Sequence, residues 1–272
     1  MKKPTYLNRA SQQAFTLVEM AIVLVIIGSV LTIVFSLLGT LSAQLEQQKL
    51  SETRNTINNV KEALLGYAMT NGRFPCPAAA PSSGVTAVEA FAASGTVTNG
   101  KCSVFYNGYV PAVTLGLSPT DTSGYVLDGW NNPVRYAIVD LSDDSNATYI
   151  FTKSSGMKNA NSASCPTCGM SWITTQTLLS VCNTGTGISS GLCASTTATI
   201  NNNSAIVIYS TAANTATGGT GTDEAANLNS DKAFVSHVPY AAGSTNGEFD
   251  DIMEWISPNT IFSRLMQANQ LP

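Results

Sequence analysis

The sequence has few charged residues and a single histidine. Asp, Glu, Lys and Arg make up 11% of its 272 residues, against about 25% in an average soluble protein. The formal net charge is −4, and no basic run lies beyond the first residues, so no nucleic-acid-binding patch is predicted. The lone His237 lies in a strand-like run and argues against a His-dependent catalytic triad or a His-rich metal site. We therefore expect no enzymatic activity.

Common catalytic and phosphate-binding motifs are also missing. The chain contains no Gly-x-Ser-x-Gly or His-Glu-x-x-His, and its Gly-rich run at 218–221 is not followed by Lys-Ser/Thr. Ser, Thr, Asn, Ala and Gly instead fill the range between residues 78 and 231, which suits an exposed, loop-rich extracellular surface. Aromatic and β-branched clusters recur within this range, so we expect a folded domain with long loops rather than disorder.

The N-terminal segment predicts a membrane-spanning helix. Residues 1–14 contain Lys2, Lys3 and Arg9 but no acid, and the nineteen residues from Met20 to Leu38 carry no charge. At 1.5 Å per residue this run spans roughly 28 Å, about one hydrocarbon core. The basic residues keep the N-terminus in the cytoplasm, so the rest of the chain is translocated. A secretory signal peptide is the alternative, but its apolar region is usually shorter and ends at a cleavage site.

The apolar run continues without proline into an amphipathic segment. Its apolar residues recur mostly three or four positions apart, which is the spacing of one helix face; they are Leu41, Leu45, Ile57, Val60, Leu64 and Tyr67. Gly72 and Pro75 then form a helix stop. We predict one continuous helix over residues 15–71, membrane-spanning and then amphipathic.

Residues 72–272 are predicted to form an exported α+β domain that packs on the helix around an antiparallel sheet. The predicted strands cover residues 134–139, 149–152, 205–209 and 234–238. A range with few apolar residues, about 156–204, is interpreted as a variable insertion. Ser257 as N-cap and Pro258 at the first helical position predict a final short helix.

Six cysteines lie beyond the helix, at Cys76, Cys102, Cys165, Cys168, Cys182 and Cys193. Export favours disulfides, whereas in a cytosolic protein the Cys165-x-x-Cys168 pair would suggest redox chemistry or half a zinc site. Six cysteines allow 15 connectivities, so the sequence leaves the pairing open. We expect sequence neighbours to pair, as Cys76–Cys102, Cys165–Cys168 and Cys182–Cys193.

The stretch Ala14-Phe15-Thr16-Leu17-Val18-Glu19 resembles the processing site of type IV prepilins and type II secretion pseudopilins. The resemblance implies that a prepilin peptidase removes the leader 1–14 by cleaving between Ala14 and Phe15. It also implies N-methylation of Phe15 and retention of Glu19. The family usually has Gly before the cleavage site, where this chain has Ala14.

Glu19 is a charged residue at the edge of a segment that enters the membrane. A carboxylate in lipid must find a partner or become neutral. The family resemblance implies that Glu19 pairs with the amine of Phe15 in a neighbouring subunit and so sets the register of assembly. The alternative is that Glu19 reaches back to the membrane interface of an ordinary anchor and has no specific role.

Two stretches of the exported domain resemble the major pseudopilin. Residues 128–136 are similar to its Asp-Pro-Trp-Gly-Asn-Pro-x-x-Tyr signature, with Gly129 in place of Pro, and residues 247–255 are similar to its acidic stretch ending Asp-Ile-x-x-Trp. The resemblance implies that Asp250 and Asp251 bind calcium, an ion that prefers carboxylate oxygens. Alternatively, both residues form a turn or pair with Arg135.

These features predict a structural subunit of a type IV pilus or pseudopilus, more in keeping with a minor or specialised pilin than with a major one. Its expected partners are other pilin subunits, prepilin peptidase, the inner-membrane assembly platform and, before assembly, the membrane itself. Its expected location is the bacterial inner membrane, as a single-pass protein, and then a periplasmic or extracellular filament. The alternative is a single-span anchored periplasmic binding protein or enzyme. Adhesion, secretion, motility and DNA uptake remain equally open roles.

Overall fold

The computed structural model describes residues 16–143, 148–160, 169–214, 221–240, 243–244 and 247–271, and it confirms the predicted α+β class. Its helices are α1 (Leu17–Asn71), α2 (Ala112–Leu115), α3 (Met170–Ile173), α4 (Thr222–Leu228) and α5 (Pro258–Gln267), with a 3₁₀ turn at Ala212–Asn214. Its strands are β1 (Gly108–Tyr109), β2 (Arg135–Ile138), β3 (Ser142–Asp143), β4 (Thr148–Tyr149), β5 (Leu179–Cys182), β6 (Thr199–Ser204), β7 (Ile206–Ser210), β8 (Ala233–Val235) and β9 (Ile252–Ile256).

The chain divides into two compact units, Met1–Gln48 and Lys49–Pro272. In the first unit, the stretch Leu17–Phe35 of α1 is long and apolar enough to cross a membrane, and none of it is buried. Leu17 is 91% exposed and Phe35 is 70% exposed. Because apolar surface in water is unfavourable by about 25 cal/mol per Å², burial of this stretch in an apolar environment would be favourable.

In the second unit, α1 contributes one face to the main hydrophobic core. Ile57, Val60 and Leu64 are buried there, and full burial of such a side chain stabilises the fold by about 1.5–3 kcal/mol. The helix ends at Asn71, as predicted. Gly72 follows with φ 65°, and its N–H donates to the carbonyl of Ala68 at 2.8 Å, which is a helix end that favours glycine.

The larger sheet has four antiparallel strands in the order β1-β2-β7-β9. Its central strands β2 and β7 agree with the strands predicted over residues 134–139 and 205–209. Every residue of β7 is buried, which explains its nearly continuous apolar sequence. The edge strand β9 is a strand that the sequence pattern did not predict, and it pairs with β7 from Ile206↔Ile256 to Ser210↔Ile252.

A smaller sheet has the order β6-β5-β8, with β5 antiparallel to β6 and parallel to β8. Two of its strands and α3 lie in the range 156–204 that the composition predicts to be a variable insertion. Described residues of this range also enter the main core: Met157, Ala160, Ile173, Leu178, Leu179 and Val181. β5 itself has only four residues, Leu-Ser-Val-Cys, so it barely changes the composition of the range.

The strand predicted over residues 149–152 is wrong beyond Tyr149. β4 is Thr148–Tyr149, and the following residues form a turn. Ile150 and Phe151 are nevertheless fully buried, so their apolar character reflects packing rather than strand pairing. The strand predicted over 234–238 corresponds to the shorter β8.

Two disulfides, Cys76–Cys102 and Cys182–Cys193, join cysteines that are neighbours in sequence, as expected. The expected Cys165–Cys168 pair lies outside the described residues.

The last helix begins as predicted, with Pro258 in its first turn and the Ser257 side chain accepting from the Thr260 N–H.

Candidate functional site

Three reciprocal hydrogen bonds between Thr16 and Glu19 cap the start of α1. The backbone N–H and the hydroxyl of Thr16 both donate to Glu19 Oε2 at 2.8 Å, and the Glu19 N–H donates to Thr16 Oγ1 at 3.3 Å. This is the Thr-x-x-Glu capping box, a sequence signal that the interpretation of Glu19 as an assembly residue overlooked. Glu19 Oε1 has no hydrogen bond to any described residue. The predicted processing residues Ala14 and Phe15 lie outside the described residues.

A second candidate site is formed by three acidic side chains from two elements of the exported domain. Glu224 lies in α4, and Asp250 and Asp251 directly precede β9. One carboxylate oxygen of each residue lies within 4.8 Å of one oxygen of each of the others. The structure therefore brings together the two predicted calcium ligands and adds Glu224, which lies 26 residues earlier and which the sequence analysis did not select.

Hydrogen bonds hold one oxygen of each carboxylate in place. Glu224 Oε1 accepts from Asn214 Nδ2 at 2.6 Å and from the Asp250 N–H at 3.2 Å, and Asp250 Oδ2 accepts from the Ala213 N–H at 3.0 Å. Asp251 Oδ2 accepts from Asn227 Nδ2 at 2.6 Å. The orientation of the three acids is thus fixed by the 3₁₀ turn and by α4.

The remaining oxygens of two of these acids are buried without partners. Among the described residues, no donor group reaches Glu224 Oε2 or Asp250 Oδ1, and Glu224 is only 2% exposed. The two carboxyls can hydrogen-bond to each other only when one of them is protonated. A buried polar atom without a partner costs about 1–3 kcal/mol, and more when it is charged. Adjacent carboxylates with free, buried oxygens fit a bound cation, and the hard oxygen donors favour Ca²⁺.

The pKa values of the two aspartates reflect this arrangement. Burial, opposed by the hydrogen bond from the Ala213 N–H, raises the pKa of Asp250 to about 6, with smaller upward contributions from the charges of Glu224 and Glu248 and from a side-chain hydrogen bond with Glu224. Burial also raises the pKa of Asp251 to about 7, with opposing contributions from Asn227 and Arg135. Each aspartate therefore resists carrying its charge while no cation neutralises the cluster.

Arg135 does not form the ion pair with Asp250 or Asp251 that was the alternative to calcium binding. Its Nη1 donates to Asn107 Oδ1, and its guanidinium lies 4.7 Å from the centroid of the Tyr109 ring. No ion pair joins it to Asp250 or Asp251 among the described residues, although its charge lowers the pKa of Asp251.

Asn227 connects the acidic cluster to the smaller sheet. Its side chain pairs with the free edge of β8, accepting from the Val235 N–H at 2.6 Å and donating to the Val235 carbonyl at 3.0 Å. The side-chain amide also donates to Asp251, and the backbone carbonyl of Asn227 accepts from the hydroxyl of Tyr209 at 2.8 Å. Asn227 is fully buried, so a shift of α4 would disturb β8 and Asp251 together.

The stretch 128–136 has a structural role next to the cluster. Asp128 Oδ1 accepts from the backbone N–H groups of Trp130 and Asn132 at 2.8 Å. The Gly129 N–H donates to Thr53 Oγ1 of α1 at 2.9 Å, a bond that a proline at this position could not make. Asn132 Nδ2 donates to the carbonyl of Ala212 at 2.6 Å, so this loop supports the 3₁₀ turn that holds Asp250.

The comparison with known proteins finds a family match at the N-terminal segment. Residues 9–35 match the family model described as the prokaryotic N-terminal methylation motif. The matched range contains Ala14, Phe15, Glu19 and the exposed apolar stretch of α1. The chain thus carries a type IV pilin-like prepilin segment, which suggests membrane anchoring. No curated protein and no solved structure matches the chain significantly.

Proposed function

We propose that the protein is a structural subunit of a type IV pilus or pseudopilus, in the role of a minor or specialised pilin. The observation that carries the proposal is the methylation motif at residues 9–35 on a helix whose apolar stretch Leu17–Phe35 is wholly exposed. Prepilin peptidase would release Phe15 as the new N-terminus. Exposed apolar helices of several subunits would then bury one another as they leave the membrane. This role is structural and requires no catalysis.

Mass spectrometry of the protein from its native host tests the processing step. We expect an N-terminal peptide that begins with a methylated Phe15. A chain that retains Met1, or one cleaved after the apolar stretch, would contradict the filament role and favour an anchored or secreted periplasmic protein. Abundance in sheared filaments separates the two subunit roles, since a shaft subunit would dominate such a preparation.

Two substitutions of Glu19 separate its capping role from its proposed pairing with Phe15. Glu19→Gln keeps a side-chain oxygen that can accept from Thr16 but removes the charge, whereas Glu19→Ala removes both. If the charge pairs with the Phe15 amine of a neighbouring subunit, both variants insert into the membrane but neither assembles into filaments. The exposed Glu46, later on α1, provides the control Glu46→Gln. Normal assembly of Glu19→Gln would show that the charge is dispensable.

We also propose that Glu224, Asp250 and Asp251 bind a calcium ion. The support is the pair of buried carboxylate oxygens without partners, Glu224 Oε2 and Asp250 Oδ1. Ca²⁺ takes six to eight oxygen ligands in flexible geometry, whereas Mg²⁺ requires a near-ideal octahedron and usually retains several waters. Three carboxylates fixed by internal hydrogen bonds favour the larger ion, with backbone carbonyls or water as additional ligands.

Thermal unfolding of the full-length protein in detergent, with Ca²⁺ or with a chelator, tests this site. Saturation at a hundred times the dissociation constant would stabilise the fold by about 2.7 kcal/mol, so we expect a clear rise of Tm with Ca²⁺ and a smaller rise with Mg²⁺. Glu224→Gln and Asp250→Asn should abolish the rise, and Glu52→Gln, at an exposed position of α1, should retain it. The same Tm with Ca²⁺ and with chelator would refute calcium binding.

A further inference from the structure

We infer that occupancy of the Glu224–Asp250–Asp251 site controls the order of the loop closed by Cys182–Cys193, through the neighbouring residue Asp223. This inference rests on the calcium site proposed above and adds what that site regulates. We call residues 183–192, between the two cysteines, the cysteine loop.

Two adjacent acids of α4 have separate sets of partners. Asp223 and Glu224 are 1% and 2% exposed, but their side chains contact different parts of the domain. Glu224 joins Asp250 and Asp251 in the acidic cluster. Asp223 instead contacts the cysteine loop and His237. Because the two residues share a backbone, the position of one constrains the other.

Hydrogen bonds attach the cysteine loop to Asp223. Asp223 Oδ1 accepts from the Gly185 N–H and from Thr184 Oγ1, the latter at 3.2 Å. Asp223 Oδ2 lies 3.1 Å from His237 Nε2. A Cβ at Gly185 would lie 2.7 Å from the carbonyl oxygen of Thr222, so the loop backbone approaches α4 as closely as glycine permits.

Apolar packing extends the same connection. Cys182, Ala226 of α4, Val235 and Phe249 form a small buried cluster, and Ile188 and Cys193 pack against it. Phe249 directly precedes Asp250 in the sequence, so this cluster reaches from the acidic site to the disulfide. The disulfide fixes the ends of the cysteine loop, while α4 and Phe249 position its middle.

The position of α4 depends on the charge balance of the acidic cluster. A helix of seven residues is too short to be stable on its own, so its position depends on the contacts of its side chains. In the absence of a cation, the three nearby carboxylates repel one another when ionised. A bound cation would neutralise this repulsion and hold Glu224 against Asp250. It would thereby stabilise the position of α4 in which Asp223 accepts from Thr184 and Gly185.

Hydrogen exchange of the full-length protein in detergent, followed by mass spectrometry, tests the coupling. With Ca²⁺ instead of chelator, we expect at least tenfold slower exchange in peptides covering α4, residues 247–252 and the cysteine loop. Peptides of β2 and β7 should not change, and they also report whether each variant is folded. Glu224→Gln should lose all of the protection, whereas Glu52→Gln should retain it.

Asp223→Ala and Thr184→Val separate the coupling from calcium binding. Asp223→Ala removes the oxygen that accepts from Thr184 and Gly185. Both variants should retain protection of α4 and residues 247–252, while protection of the cysteine loop should be lost in Asp223→Ala and reduced in Thr184→Val. Protection of the cluster without protection of the loop in the unsubstituted protein would overturn the coupling and leave the calcium site standing. Undiminished loop protection in Asp223→Ala would overturn the route through Asp223. No protection anywhere would overturn both the calcium site and the coupling.

Discussion

At the scale of single residues, ionisation of Asp250 and Asp251 opposes folding when no cation is present. Their pKa values, about 6 and about 7, lie above the ordinary value of 3.8, so the folded protein binds protons more tightly than the unfolded chain. The free energy of unfolding therefore rises as pH falls from about 7 to about 4. Glu224, Glu248 and Arg135 are the charged groups that act on these two aspartates.

We predict that the chelator-treated protein is more stable at pH 5 than at pH 7 by roughly 2 kcal/mol, since one unit of pKa corresponds to about 1.4 kcal/mol. Denaturant unfolding at the two pH values measures the difference. In the double variant Asp250→Asn/Asp251→Asn the difference should shrink strongly, because the main groups that bind protons have been removed. An equal or lower stability at pH 5 in the unsubstituted protein would contradict the prediction.

A buried ion pair near the end of α1 provides a second prediction at the residue scale. Arg73 donates to both oxygens of Glu89, at 2.5 and 2.8 Å, and Glu89 also accepts from the Cys76 N–H. The two side chains are 9% and 10% exposed. Arg73→Met leaves the Glu89 charge buried without its partner, which typically costs 3–5 kcal/mol.

The more exposed pair Lys61–Glu254, with side chains 26% and 46% exposed, is the matched comparison for Arg73–Glu89. Lys61→Met should lower the free energy of unfolding by no more than about 1 kcal/mol. Denaturant unfolding of both variants under oxidising conditions gives the comparison directly. Similar losses in the two variants would show that burial does not distinguish the two pairs.

At the scale of elements, the loop at 128–132 approaches α1 so closely that only glycine fits at position 129. A Cβ at Gly129 would lie 2.5 Å from the carbonyl oxygen of Lys49 and 2.7 Å from its Cα. Gly129→Ala should therefore force the loop away from α1, weaken the Gly129–Thr53 bond and cost about 1–3 kcal/mol.

Gly66 is the control for Gly129, because a Cβ there would meet nothing within 4 Å and the residue lies inside α1. Gly66→Ala should raise the free energy of unfolding by up to about 1 kcal/mol, since alanine is the better helix former. Thermal unfolding should thus shift in opposite directions for the two variants. A shift of the same sign in both would contradict the close contact between Gly129 and Lys49.

The elements that the sequence predicted well are those whose signal is local. The apolar spacing, the glycine after Asn71 and the cap at Ser257 predict α1 and α5, and apolar runs predict β2 and β7. β9 was missed because its sequence, Ile-Met-Glu-Trp-Ile, mixes a charge with apolar residues. β5 was missed because its parallel pairing with β8 joins segments about fifty residues apart, and no local pattern encodes such a contact.

Only part of the acidic site could likewise be predicted from local sequence patterns. Asp250 and Asp251 are adjacent and were found from the family resemblance, but Glu224 reaches them through the fold. Asn227 and Asp223 act through bonds to β8, the cysteine loop and His237, which no spacing in the sequence predicts. Thr16 and Glu19 differ, since their Thr-x-x-Glu spacing was visible in the sequence and their bonds could have been predicted.

At the scale of the whole molecule, the two units place opposite demands on their surroundings. The stretch Leu17–Phe35 is wholly exposed and apolar apart from a few residues such as Glu19, whereas Lys49–Pro272 encloses its own hydrophobic core and contains the disulfides Cys76–Cys102 and Cys182–Cys193. The solubility of the chain should therefore be decided by the first unit and its fold stability by the second.

We predict that residues 41–272, produced in an oxidising compartment, form a monomer that is soluble without detergent. Its Tm should lie within a few degrees of that of the full-length protein in detergent, because Ile57, Val60 and Leu64 of α1 still complete the core. Circular dichroism measures the Tm, and light scattering measures the mass.

A second truncation to residues 66–272, which removes these three side chains, should unfold, since each Leu or Ile lost from a core costs about 2–5 kcal/mol. If residues 41–272 aggregated or melted far below the full-length protein, the removed part of α1 would contribute to the fold itself, and the assignment of solubility to the first unit and fold stability to the second would be wrong.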